Sequence, residues 1–128
     1  MTREEFAGWL ARYIEAWKSY DRSAIGDLFS EDAFYSYRGG WANVEGRDAI
    51  VADWLKDRDD PGSFDAAYAP LAIDGDVHVA RGTSTYHHPD GSVREEYSNI
   101  FVCAFDAEGR CSSFTEWFVK TKPEAETT

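Results

Sequence analysis

The sequence is poor in basic residues, in sulfur and in long apolar runs, and each shortage excludes something. Thirteen Lys and Arg face 24 Asp and Glu, for a formal net charge of -11. Such a surface repels phosphates and carries no basic stripe, so nucleic acid is not an expected partner. No apolar stretch approaches the roughly 18 residues of a membrane span, so no membrane association is expected. The opening Met1-Thr-Arg-Glu-Glu-Phe6 is polar and acidic rather than a secretory leader, which points to a cytoplasmic protein. Two cysteines, Cys103 and Cys111, are too few for a disulfide framework. Linkers, repeats and low-complexity stretches are absent, so residues 1–122 are expected to form one domain. Residues 123–128, of Pro, Glu, Ala and Thr, read as a loose tail. What the sequence has in plenty is aromatic residues, 16% of 128 positions. A charged chain so rich in rings folds, and at this length it buries roughly two-thirds of its unfolded surface.

Periodicity organises the first half. Phe6, Trp9, Leu10, Tyr13, Ile14 and Trp17 recur every three or four residues. They predict a helix over Arg3 to Tyr20, with Thr2 and Glu5 as a capping box. A second, shorter helix is expected after a cap at Asp21 or Ser23, burying Ile25, Leu28 and Phe29 and ending near Glu31. Ala33 to Tyr37 reads as a strand and Arg38 to Gly46 as a loop. Arg47 to Lys56 reads as a third helix with Ile50, Val51, Trp54 and Leu55 on its buried side. Asp57 to Ser63 breaks the pattern. Strands follow at Phe64 to Leu71, Val77 to His87, Val93 to Phe105 and Cys111 to Lys120, joined by Asp74-Gly75, Pro89-Asp90-Gly91 and Asp106 to Gly109. Helices first and hairpin-joined strands last predict an α+β fold, with the helices on one face of an antiparallel sheet.

That order, with Ala11-Arg-Tyr-Ile-Glu-Ala-Trp17, Leu28-Phe-Ser-Glu-Asp-Ala33, Gly46-Arg-Asp-Ala-Ile50 and the hairpin Phe105-Asp-Ala-Glu-Gly-Arg110, resembles the nuclear transport factor 2-like superfamily, and within it the SnoaL-like and ketosteroid isomerase-like group. The resemblance spans about Phe6 to Val119. It implies a cone-shaped α+β barrel, three N-terminal helices packed on a curved antiparallel sheet around a pocket open at one end. It also implies a homodimer through the outer sheet face. It is weak for chemistry, because this fold hosts isomerases, cyclases, dehydratases, hydrolases and plain binding domains. In the isomerases a first-helix tyrosine belongs to the oxyanion hole, and Tyr13 matches it. Their general-base aspartate falls on Tyr37 and their protonated aspartate on Phe101, so two of the three parts are missing.

Strand parity suggests what lines the pocket. Tyr97, Asn99, Phe101, Cys103 and Phe105 share one face, as do Phe114, Glu116 and Phe118. A turn on Ala107-Glu108 opposes Phe105 with Arg110, which sets Phe101 against Phe114 and Asn99 against Glu116. In that register Cys111 points away from Cys103, so ordinary buried thiols are expected rather than a bridge. A three-residue loop at Pro89-Asp90-Gly91 brings Arg81 opposite Asn99, giving a polar row Arg81, Asn99, Glu116. A four-residue loop turns Arg81 outward and Ala80, Gly82 and Ser84 inward, and the sequence leaves both open.

Glu116 is the candidate general acid or base, in apolar surroundings that raise a carboxyl pKa. The plainer alternative is a structural ion pair or hydrogen bond. Tyr13 is the candidate oxyanion donor or, equally, a core aromatic. Tyr35, Tyr37, Trp41, Trp54 and Tyr68 are candidates for an aromatic wall. His78, His87 and His88 lack metal-ligand spacing, and the aspartates of 57–60 lack a calcium-loop pattern, so no metal is expected. Neither a phosphate-binding glycine loop nor a serine elbow is present, and no cofactor is expected. The expected partner is a small apolar or aromatic molecule. Three functions fit: a cofactor-independent acid–base enzyme, a binding protein, or a dimerisation module with a filled cone.

Overall fold

The computed structural model describes residues 1–37 and 42–121. Helix α1 (Arg3–Ser19) starts at the capping box: Thr2 Oγ1 accepts from the Glu5 amide at 3.1 Å, and Glu5 Oε1 accepts from the Thr2 amide at 2.9 Å. Together they satisfy two of the helix's four unpaired N-terminal donors. The apolar stripe is buried at Phe6, Trp9, Leu10 and Tyr13, and α1 ends at Tyr20, whose backbone is left-handed at φ 49°. Helix α2 (Arg22–Asp27) is capped by Asp21. It stops earlier than expected, and Leu28 and Phe29 are buried at the entry to strand β1 (Phe29–Tyr37). Helix α3 (Arg47–Lys56) has the expected bounds and buries Ile50, Val51 and Trp54.

Six strands form one sheet: β1, β2 (Ala42–Glu45), β3 (Phe64–Asp74), β4 (Val77–His87), β5 (Val93–Phe105) and β6 (Cys111–Lys120), in the order β2-β1-β6-β5-β4-β3. Three helices on this sheet make the α+β cone, with two differences from expectation. Strand β2 lies where a loop was expected, and β1 runs parallel to β6, so the sheet is mixed rather than antiparallel. Its end strands, β2 and β3, do not pair, so the sheet is not closed. Pro70 is tolerated because β3 is an edge strand and its register with β4 slips beside Pro70.

Two β-bulges set which residues face inward. His88 donates its amide to Ser92 O at 2.8 Å, so the β4–β5 turn is the short loop of three residues. The register then slips between Tyr86 and His87, and Gly82, not Arg81, faces Asn99. Arg81 is therefore exposed on the outer face, and no row Arg81, Asn99, Glu116 forms. In the β5–β6 hairpin Phe105 pairs with Cys111 instead of Arg110, and a second slip follows. Beyond it Phe101 pairs with Glu116, Cys103 with Phe114 and Asn99 with Phe118. This is two residues from the expected register, so every side chain keeps its expected face. Cys111 does not, because it precedes the bulge. It lies on the same face as Cys103, and the two thiols are buried, free and near enough to interact.

Aromatic side chains fill the closed end of the cone. Trp9 sits edge-on to Phe105 and Phe29, with ring centroids 5.2 and 6.1 Å away, and donates its indole N–H to Leu28 O at 3.0 Å. Such edge-to-face pairs suit the ring quadrupoles. Gly82 is required by close approach: a Cβ there would run into Ala67 O and the Tyr68 ring. Its absence lets Tyr68 lie over the sheet against Phe101, 4.5 Å between centroids.

Candidate functional site

The remaining space is a cavity of about 510 Å³ between α1, α3 and the inner face of the sheet. Each of the seven tyrosines lines it, with Trp17, Trp54 and Phe118 beside them. α1 supplies Tyr13 and Trp17, one turn apart on its stripe, and Tyr20 follows at the left-handed cap. β1 supplies Tyr35 and Tyr37; β3, β4 and β5 supply Tyr68, Tyr86 and Tyr97. All of these strand positions are inward by the period of two.

At the sheet wall, Glu116 accepts a hydrogen bond from Asn99 Nδ2 at 2.7 Å. Ser84 donates to Asn99 Oδ1 at 3.2 Å, which fixes the amide with its nitrogen toward the carboxyl. The inward polar row is therefore Ser84, Asn99, Glu116. Burial pushes the Glu116 carboxyl up to about 7, while the Asn99 hydrogen bond pulls the other way. No salt-bridging cation reaches it among the described residues. The Tyr13 and Tyr35 hydroxyls lie 3.3 Å apart. Burial raises both well above the ordinary phenol value, and the nearby Glu116 charge adds to this. Both therefore stay protonated and able to donate.

Of the residues expected at the site, Tyr13, Tyr37, Trp54, Tyr97, Asn99, Glu116 and Phe118 are brought together around the cavity. Phe101 and Phe114 are not in its wall. They are 1% and 0% exposed and lie behind the tyrosines, Phe114 stacking on Tyr35 at 4.7 Å and 4°. Arg81 is on the opposite face, for the reason given by the β4–β5 bulge. Trp41 lies outside the described residues. Asp53, Asp57, Asp59, Tyr20, Ser84, Tyr86, Arg94 and Glu95 also line the cavity, though sequence reasoning did not choose them. For Ser84 a signal existed, since one of the two β4 phases pointed it inward. For Asp59 the signal is tertiary: its carboxylate accepts from Trp17 Nε1 at 3.1 Å and from the Tyr20 hydroxyl at 3.3 Å, which ties a loop read as solvated to the end of α1.

The histidines lie elsewhere. His78 is buried edge-on to Phe105 and Phe6, His87 pairs with Asp65 at 3.3 Å, and His88 is exposed at a turn. Among the described residues no three His, Cys, Asp or Glu side chains converge as a metal site. No helix among them is long and apolar enough to cross a membrane.

A cone of three helices on a six-stranded sheet with an inner cavity defines a nuclear transport factor 2-like domain. Solved structures agree on that fold. A nuclear transport factor 2-like protein of unknown function from Burkholderia xenovorans superposes with a TM-score of 0.68 at 16% identity, over 97% of this chain and 91% of that one. A Kribbella flavida protein provisionally assigned as a ketosteroid isomerase gives 0.67 at 16%, over 94% and 82%. A third, from Cytophaga hutchinsonii, nuclear transport factor 2-like and of unknown function, gives 0.64 at 13%, over 88% and 98%. No curated protein matches the sequence. The family model of the SnoaL-like domain matches residues 10–114, and the chain belongs to that family.

Proposed function

We propose that the cavity binds a small, largely apolar, ring-bearing molecule and acts on it by cofactor-independent acid–base chemistry. Glu116 carries the proton and Tyr13 donates its hydroxyl to developing negative charge. The observation that carries this reading is Glu116 itself: a carboxyl at the wall of an aromatic cavity, held by one oriented amide and raised to about 7 by burial. A proton carrier works best when its pKa lies near the working pH. The Tyr13–Tyr35 hydroxyl pair supports the donor role, because two buried, protonated phenols are preorganised for an oxyanion. The isomerase resemblance leaves Tyr37 and Phe101 where that family has carboxyls. Glu116 pairs in register with Phe101, so this chain places a carboxyl one strand over from the missing one.

The outer face supports a homodimer as part of the same proposal. Trp117 and Val119 alternate with Glu116 and Phe118 and are 45% and 69% exposed. An exposed Trp–Val pair on the outer face of β6 favours burial against a second copy.

The test is exchange of the protons alpha to the carbonyl of 2-tetralone in heavy water, followed by proton NMR. The wild type should exceed the buffer rate. Glu116→Gln should lose about a hundredfold or more of that excess, and Tyr13→Phe a similar factor. Binding, read from Trp17 and Trp54 fluorescence, should persist in both. Exchange by Glu116→Gln at the wild-type rate contradicts the assignment.

A further inference from the structure

The cavity's charge is unbalanced in a way that its aromatic lining makes informative. Asp53, Asp57, Asp59, Glu95 and Glu116 line it, against one cation among the described residues, Arg94. The Arg94 guanidinium lies over the Tyr86 ring, 5.6 Å from its centroid. Glu95 has Lys120 at 3.9 Å, and the other four carboxylates have no salt-bridge partner among the described residues. Glu116 uses Oε2 to accept from Asn99, and Oε1 takes no hydrogen bond among the described residues. Among the described residues the groups beside Glu116 supply no positive charge: Tyr13 from α1, Tyr35 from β1, Tyr68 from β3, Tyr86 from β4, and Asn99 from β5, with Asp53 of α3 elsewhere on the cavity wall. Tyrosine and tryptophan faces are negative and attract cations, most strongly where water is excluded.

We infer that the ligand of this cavity is a protonated amine on an apolar ring body, with its ammonium on Glu116 Oε1 among the tyrosine rings. This rests on the reading of the cavity as a ligand pocket and adds the charge of what enters; the paired ammonium holds Glu116 ionised, so in that complex it serves as a base. An ammonium supplies a counter-ion that the described residues do not, donates to the second carboxylate oxygen and sits against ring faces. A carboxylate or phosphate ligand meets four unneutralised acids instead. Arg94, exposed and already placed over Tyr86, is one charge against them.

Three probes of one shape separate the outcomes: 2-aminotetralin, 2-tetralol and tetralin-2-carboxylate, titrated against the full chain at pH 8 and read by tryptophan fluorescence and calorimetry. The amine is expected to bind tightest and the carboxylate weakest, with the amine ahead of the alcohol by about tenfold or more. Its affinity should fall roughly tenfold per pH unit as pH drops from about 7 toward 5, because Glu116 must release its proton to pair with the ammonium. Glu116→Gln should erase most of the amine's lead. An alcohol or carboxylate that binds as well as the amine, or a lead that survives Glu116→Gln, overturns the amine assignment and leaves the pocket reading intact. If none of the three binds, the pocket reading itself fails and the assignment falls with it.

Discussion

Replacing Glu116 by Gln should change how stability depends on pH, in a direction fixed by burial. In the unfolded chain this carboxyl ionises near 4.5, and in the fold it does so at about 7. Between those values the folded protein holds a proton that the unfolded chain has released. The proton-linked stability is therefore complete below pH 4.5, declines as pH rises and is gone above about 7. At ~1.4 kcal/mol per unit the shift is worth about 3 kcal/mol as a ceiling, since one edge of the side chain meets the cavity. Gln keeps the shape and an acceptor for Asn99 but never ionises. Urea unfolding of both proteins from pH 4 to pH 8.5 gives a difference curve in which the other carboxyls cancel. Glu116→Gln should match the wild type within about 1 kcal/mol at pH 4 and exceed it by about 2–3 kcal/mol at pH 8. A flat difference curve, or one in which the wild type gains on the variant as pH rises, would mean that the carboxylate is stabilised as an anion and would refute the reasoning.

Other consequences follow from single contacts. Asn99→Leu removes the hydrogen bond that lowers the Glu116 pKa, so the carboxyl should titrate higher than about 7 by carbon-13 NMR; a lower value contradicts the assigned cause. Gly82→Ala puts a methyl into Ala67 O and the Tyr68 ring, and should cost about 1–3 kcal/mol or more in urea unfolding, whereas Gly8→Ala, on the open face of α1, should gain up to about 1 kcal/mol. Trp117→Glu should turn the proposed dimer into a monomer by sedimentation velocity with no loss of cavity binding, and an unchanged sedimentation coefficient would contradict the interface.

The elements most legible in the sequence were those whose signals are local. The stripe from Phe6 to Trp17 and the Thr2–Glu5 box gave α1, and α3 and the last three strands kept their expected bounds. The family resemblance gave the cone. What stayed hidden depends on pairing between distant segments. Strand β2 is four residues long and exists because β1 is beside it. The parallel β1–β6 pair joins residues about 80 apart, for which neither strand carries a local sign. The cavity wall was legible through parity: Tyr97, Asn99, Glu116 and Phe118 face inward because residues two apart on a strand share a face. Parity fails at bulges, and this explains Arg81 and Cys111. The turn at His88 to Ser92 matched one of the two expected loops, yet a slip beside Tyr86 reversed every residue of β4 beyond it. The β5–β6 bulge shifted the register by an even number and left Glu116 inside. Phe101 and Phe114 had the right face but lay too deep in the cone, a depth that parity does not report.

The account turns on a carboxyl that the aromatic cone keeps uncharged until near neutrality. Carbon-13 NMR of glutamate-labelled protein, with the Glu116 resonance assigned by its loss in Glu116→Gln, reads that titration directly. A midpoint near 7 is the predicted result. A midpoint at the ordinary 4.5 would show Glu116 solvated or paired, and the acid–base chemistry would have no carrier.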